Sequence, residues 1–294
     1  MATNVVTAVK SPSYHRQQEW AKVGLYSVLI AGAFIAILPF LYMIANSLKT
    51  YGETITRVSA LPFDPKFWPK TPQWTNYVEA WRDADFSRYF FNSLVIAGVT
   101  VAGIYATSIM SAYAFSKLNF AGKNVIFTIL IATLMIPETV LLIPNYLTVA
   151  RFGWIDRLPA LTVPFMGSAF FMFLLRQFFS QIPTQLLESA RMDGASHMTV
   201  LVRIVVPLSR APLFTVGFLG FTGAWNALQW PLVVTQTPTW RPIAVGLTSF
   251  INEAAALIHL RLAGSMIALA PVVLIYMIAQ RQITEAIART GLKG

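Results

Sequence analysis

The charged residues of this chain gather into short connections and leave long apolar stretches between them. Six stretches, residues 23–48, 89–116, 124–150, 158–175, 211–240 and 262–280, carry no ionised side chain apart from Glu138 in the third. A helix rises about 1.5 Å per residue and the hydrocarbon layer of a bilayer is about 30 Å thick, so each stretch reaches across, or nearly so, as a helix. The pattern predicts an all-α membrane protein with six transmembrane helices. It divides into an N-terminal tail (1–22), a six-helix unit (23–280) and a C-terminal tail (281–294). The first apolar run follows Lys10, Arg16 and Lys22 as in a secretory signal, but it exceeds the roughly 7–15 apolar residues of a cleavable core and reads as a retained span.

The connections set the orientation. The short loop from Lys117 to Lys123 holds two lysines and no acid, and the tail after residue 280 is rich in Arg and Lys, so both termini are expected on the cytoplasmic side. Residues 49–88 then face outward. Pro62, Pro65, Pro69 and Pro72 oppose a helix there, and the neighbouring tryptophans and tyrosines suit headgroup level. A folded external lip results, which serves equally as a partner surface or as an interfacial belt.

The cytoplasmic segment 181–207, between the fourth and fifth spans, has a different pattern. Thr184 after Pro183 fits an N-cap, and Leu186, Leu187 and Ala190 supply one apolar face. Gly194 fits the left-handed residue that ends a helix. A second helix is expected from Ser196 to Pro207 with Met198, Leu201, Val202 and Val205 on one side. Two short amphipathic helices joined at a glycine need a protein groove or the bilayer interface to lie in.

Composition agrees with lipid as the main solvent: 56% of the 294 residues are hydrophobic and 12% charged, about half the charge density of a soluble domain. With no cysteine, disulfides, thiolate metal sites and cysteine nucleophiles are excluded. His15, His197 and His259 lie too far apart along the chain to suggest a metal cluster. The formal charge of +10 comes from scattered residues without a basic helix, which points to anionic headgroups rather than nucleic acid. Gly122-Lys123-Asn124 lacks the upstream glycine and the hydroxyl of a phosphate-binding loop, so this chain is not expected to hydrolyse ATP.

Glu188, Ser189 and Ala190, followed by Gly194, Ile204 and Pro207, resemble the E-A-A-x3-G-x9-I-x-L-P loop of permease subunits of bacterial binding-protein-dependent ABC importers, with Ser189 and Val206 as departures. Phe91–Leu94, Ser111–Phe115, the Met135–Pro137 turn, Leu174–Phe179, Arg191–Ser196, Trp225-Asn226 and the terminal Leu292-Lys293-Gly294 resemble the maltose-type carbohydrate permeases, specifically the smaller six-span subunit. The resemblance runs from about residue 20 to the end. It implies a non-catalytic subunit with no cofactor of its own, in the bacterial cytoplasmic (inner) membrane. Its implied partners are a second, different permease chain, two ATPase subunits that bind ATP and Mg, and an external sugar-binding protein. It also implies that Glu188, Ser189, Ala190, Arg191, Asp193, Gly194, Ile204 and Pro207 form the ATPase-coupling loop, and that Leu292, Lys293 and Gly294 touch the ATPase. In this reading Glu188 sits near the start of the first helix, where the dipole favours an acid.

For the substrate path the candidates are Trp225, Asn226, Gln229 and Trp230, since aromatic faces pack on sugar rings and amides bond hydroxyls. The same residue types also hold helices together and mark interfaces. Where the family often has an acid after Trp-Asn, this chain has Ala227. Glu138, after Pro137, is read either as a gate or as part of a helix break. A solitary ion-coupled carrier is the alternative; it would want several intramembrane acids, and only Glu138 interrupts a span. An intramembrane enzyme would need a nucleophile and base, or a metal constellation, that the sequence does not supply.

Overall fold

The computed structural model describes residues 12–56, 62–82, 85–253 and 257–291, and among them every regular element is helical. In chain order these are α1 (Pro12–Ser47), α2 (Tyr51–Thr56), α3 (Thr75–Arg82), α4 (Phe86–Lys117), α5 (Lys123–Ala132), α6 (Leu142–Arg151), α7 (Leu158–Thr162) and α8 (Ala169–Ser180). They continue with α9 (Thr184–Met192), α10 (His197–Val200), α11 (Val206–Leu208), α12 (Arg210–Trp225), α13 (Gln229–Val234), α14 (Ile243–Glu253) and α15 (Ile258–Gly291).

Three helices are long and apolar enough to cross a membrane: Ala21–Ser47 of α1, all of α4, and Ile258–Gln280 of α15. Three further pairs qualify only as bent units: Lys123–Met135 with Glu138–Arg151 at 92°, Leu158–Phe165 with Ala169–Ser180 at 42°, and His197–Leu208 with Arg210–Trp225 at 84°. The first bend follows from Pro137. A proline disfavours helical backbone in the residue before it, and Ile136 and Pro137 are both extended, so two consecutive residues turn the chain. The apolar stretch 211–240 does not continue as one helix: α12 stops at Trp225, and α13 starts two residues before Pro231, which tolerates only a first helical turn. The first and last helices extend beyond their apolar stretches, from Pro12 and to Gly291.

Helix α4 is the central element, packed against α8, α12, α14 and α7; α15 packs against α1, α12 and α3. Small residues permit this closeness. A Cβ on Gly103 of α4 would fall inside the Met166 side chain, so the glycine sets the distance between α4 and the segment that links α7 to α8. α1 is apolar all round, with Val28, Ile30 and Ile35 exposed, as expected of a helix at the lipid-facing edge.

The segment after α1 departs from the expected helix-free lip. Its prolines are confined to residues 62–72, and α2 and α3 flank them. The lip is latched to the end of α1. Buried Lys49 donates from Nζ to the Lys66 carbonyl at 2.8 Å, and Asn76 Nδ2 donates to the carbonyls of Ser47 and Lys49 at 2.8 and 2.9 Å. Burial lowers the Lys49 ammonium below its ordinary 10.5 against the raising influence of Glu53 and Asp64. For Glu53 burial alone would raise the carboxyl. Hydrogen bonds from the Lys70 N–H and from the N–H and hydroxyl of Thr50, with the charge of Lys49, hold it below its ordinary 4.5.

Candidate functional site

The loop between α8 and α12 folds as two helices meeting at a left-handed turn. α9 begins at Thr184, with Pro183 in the capping position and no side-chain cap, so Thr184 lies one place inside the expected N-cap. At the other end Gly194 has φ +85°, its N–H donates to Arg191 O at 3.0 Å, and the Ala195 N–H reaches back to Ala190 O at 3.0 Å. These two bonds define a Schellman ending, in which a left-handed residue turns the last carbonyls back onto the chain. Ser196 then caps α10, its Oγ accepting from the Thr199 N–H at 3.2 Å.

Between α10 and α11, residues Leu201–Val205 widen into a π-helical turn, and the Val206 N–H bonds to Leu201 O. Pro207 explains the position: without an N–H it cannot close the ordinary helical bond, and the chain relaxes into a wider turn just before it. The wider turn rotates the apolar face from its expected setting. Val200, Leu201 and Val205 are buried, whereas Met198 and Val202, expected beside them, are exposed. In α9, likewise, Leu187 is buried and Ala190 partly so, while Leu186 is exposed.

The buried face belongs to the core of the spans. Leu187, Val200, Leu201 and Val205 pack in one cluster with Ile104, Ala112 and Tyr113 of α4, Leu175 and Phe179 of α8, and Val216 of α12; Ala190, Ala195 and Ile204 sit at its edge. Polar bonds reinforce this seat. Tyr113 Oη lies 3.3 Å from His197 Nδ1, Lys117 Nζ donates to Ile182 O at 2.6 Å, and Arg176 Nε donates to Phe115 O at 3.1 Å. The opposite face carries Glu188, Ser189, Arg191, Asp193 and Gly194, all exposed, beside Met192 at 88% exposure. The candidates thus divide by face: Ala190 and Ile204 face inward, the charged residues outward, and Pro207 lies exposed in α11. Glu188 is the fifth residue of α9, whose first turn holds no acid, so the expected helix-dipole stabilisation does not reach it.

The substrate-path candidates are divided similarly. Trp225 is 2% exposed, stacks on Phe221 at 5.4 Å and donates from Nε1 to Ala268 O of α15 at 3.0 Å. Trp230 is buried and donates to Ala160 O of α7 at 2.9 Å. Asn226 and Gln229, in the break between α12 and α13, are exposed, as is Glu138 at the 92° bend. Leu292, Lys293 and Gly294 lie outside the described residues.

Two positioning groups stand outside the candidate site residues: one lies in the Phe91–Leu94 fragment, quoted only for its resemblance, and the other, Asp156, was not singled out from the sequence. Asn92 Nδ2 donates to the carbonyls of Thr239 and Arg241 at 3.0 Å each, and Ser93 Oγ accepts from the Ile243 N–H at 2.7 Å, so one turn of α4 clamps the segment leading to α14. Asp156, left-handed at φ +60°, binds the N–H groups of Gln236 and Thr237 at 3.2 Å each. Asp156 at a left-handed position carries no pattern that a periodicity reading detects.

A helical membrane protein with broken spans and a loop rooted in its core is the class that these features define. The sequence pattern of the family described as binding-protein-dependent transport system inner membrane component matches residues 100–289, and the chain belongs to that family. The sn-glycerol-3-phosphate transport system permease protein UgpE of Yersinia enterocolitica serotype O:8 is 31% identical over 263 residues, 86% of this chain and 91% of that protein. The arabinooligosaccharides transport system permease protein AraQ of Bacillus subtilis is 27% identical over 263 residues, 89% and 92% of the two chains. Among solved structures, a chain of a bacterial ABC transporter involved in the import of the acidic polysaccharide alginate shares the fold, with TM-score 0.77 at 24% identity over 94% of this chain and 99% of that one. The expected family is borne out.

Proposed function

We propose that this chain is the permease subunit of an ATP-driven bacterial importer for carbohydrate, an oligosaccharide in particular, and that it forms half of the translocation pathway. Six crossings of the cytoplasmic membrane, with the first two bent pairs counting as one each and α12 as the fifth crossing, leave both termini on one side, and the lysines of the 117–123 loop favour the cytoplasmic side for them and for the loop 181–207. A second, different permease chain completes the pathway, two ATPase subunits holding ATP and Mg bind the loops, and an external binding protein delivers the sugar. Relatives named for oligosaccharide and glycerol phosphate transport support a sugar-like substrate.

The observation that carries the coupling role is the two-faced loop. Its inner face is continuous with the core of α4, α8 and α12, and its outer face presents Glu188, Arg191, Asp193 and Met192. A partner that grips the outer face moves the spans, because close-packed interiors transmit displacement rather than absorb it. Glu188 offers a charged acceptor to the ATPase cleft. ATP binds the closed ATPase pair more tightly than the open one, and that difference shifts the permease between inward- and outward-open states. Asn226, Gln229 and Glu138 are the residues of this chain left open to a passing sugar, while Trp225 and Trp230 hold the walls.

The test is reconstitution in vesicles with the partner permease, the ATPases and the loaded binding protein. Glu188→Lys is expected to abolish uptake and binding-protein-stimulated ATP hydrolysis while the chain still inserts. Uptake that survives the change, or that runs without ATP, refutes the assignment. Binding of a sugar panel to the external protein identifies the substrate.

A further inference from the structure

The turn between α4 and α5 borders an open surface cleft of about 480 Å³ lined by Asn119, Gly122, Lys123, Asn124, Val125 and Arg176, with Phe120 at its side. Two cations face it and no acid does. Among the described residues the ion pairs are Lys22–Glu19 and Arg88–Asp85, so neither Lys123 nor Arg176 meets a carboxylate. Both are half-buried and fixed in place. Lys123 Nζ donates to Leu118 O at 2.7 Å; Arg176 Nε donates to Phe115 O, and its guanidinium carbon lies 4.0 Å from the Phe127 ring centroid. Each of these bonds uses part of its group's donor capacity and leaves further N–H groups for a second acceptor.

Two cations held side by side without a counter-charge leave an uncompensated positive field in the cleft, which an anion entering it would neutralise. The backbone adds to the same field. α5 starts at Lys123 after the capping residue Gly122, which is left-handed at φ +75°, and the N–H groups of Asn124 and Val125 have no acceptor among the described residues. Cationic side chains converging with free first-turn N–H groups suit a phosphate. The surroundings favour one source. Val125, Ile126 and Ile129 are exposed along α5 directly from the cleft mouth, a path for acyl chains, and Lys117 ties this end of the molecule to the loop 181–207.

We propose that this cleft binds the phosphate of an anionic phospholipid headgroup, whose chains follow the outer face of α5. The inference rests on the membrane orientation given under Proposed function, but its readout is lipid binding by the chain itself and is independent of ATP coupling. The full chain in non-ionic detergent is titrated with dioleoylphosphatidylglycerol or dioleoylphosphatidylcholine and followed by native mass spectrometry, with inorganic phosphate as competitor. One saturable phosphatidylglycerol site is expected; it weakens about fivefold in Lys123→Gln, from roughly 1 kcal/mol per basic residue near an anionic surface. Lys123→Arg retains the site, which separates lost charge from lost fold, and Lys22→Gln leaves it unchanged. Resistance to millimolar phosphate assigns the lipid as the source; displacement by phosphate, with the same dependence on Lys123, keeps the phosphate site and assigns the free ion. Equal binding of phosphatidylcholine, equal effects of Lys22→Gln and Lys123→Gln, or no saturable binding overturns the proposal.

Discussion

Gly194 allows two explanations of the loop motif to be separated by a series of substitutions. Among the described residues, apart from its chain neighbours, nothing lies within 4 Å of a Cβ built on it, yet its φ is +85°. A side chain therefore meets no neighbour among the described residues, and its cost is conformational. The left-handed region costs an L-residue about 1–2 kcal/mol, less for Asn, and more for a β-branched residue. An energy of that size changes the population of the turn roughly 5–30-fold. When the turn is lost, the Gly194 and Ala195 N–H bonds to Arg191 and Ala190 go with it. Backbone strain ranks the variants Asn, Ala, Val from mildest to most damaging. Direct contact of the position with an ATPase would rank them by size, with Ala the mildest. The assay pairs amide hydrogen exchange of the segment 184–205 with ATPase stimulation in the reconstituted complex, and the two are expected to fall together in the order Asn, Ala, Val. A variant Gly194→Ala that outperforms Gly194→Asn in both measurements would falsify the conformational account.

Three other perturbations address the packing and the external lip. Gly103→Ala drives a Cβ into Met166 and is expected to lower the thermal midpoint in detergent; combining it with Met166→Ala restores part of the loss, because the second change vacates the occupied space. Trp225→Phe removes the N–H bond to Ala268 O and is expected to cost about 1 kcal/mol, against about 3–5 for Trp225→Ala, which also opens a cavity between α12, α4 and α15; denaturant titration in micelles distinguishes the two. Because the Glu53 carboxyl is depressed in the folded lip, its stabilising contribution is present above the ordinary 4.5 and is lost as pH falls through the lower folded value. Protection of the Lys70 amide, taken relative to the intrinsic exchange rate at each pH, should fall over that range, and Glu53→Gln should remove this change in protection.

The apolar pattern marked the lipid-facing elements well because exclusion of charge is a property of long segments, and α1, α4 and α15 coincide with three of the six stretches. Breaks were less legible. Pro137 announced one, and the division between a loop helix ending at Pro207 and a span from residue 211 anticipated the turn at Ser209, but the end of α12 at Trp225, inside the stretch 211–240, was not marked. In the loop, Gly194 was readable because a left-handed residue has a strong sequence preference. The face buried by residues 197–205 was read only in part: Leu201 and Val205 are buried as expected, but Val200 replaces Met198 and Val202 beside a π-turn that a regular helical period does not anticipate. The fragments around Tyr113 and Leu175 looked unrelated along the chain. Their common meaning is spatial: Tyr113, Leu175 and Phe179 build the floor on which the loop rests, and the bond from Arg176 Nε to Phe115 O ties α8 to α4 beside it.

That floor determines how far a force on the loop can travel. α4 runs about 48 Å as an unbroken helix. Near one end it holds the loop through Tyr113 and Lys117, and near the other it holds the segment before α14 through Asn92 and Ser93. α8 and α12 pack along it between those points. A displacement of α9 and α10 therefore cannot be taken up by bending α4, which has no proline inside it, and must appear as rigid movement of α4, α8 and α12 together. α1 lies outside this unit, joined chiefly to α15 and exposed along most of its length. The relative motion during transport is thus expected between the α4–α8–α12 body and the peripheral α1, with the bent segments at Pro137 and Ser209 as the places where the chain changes direction.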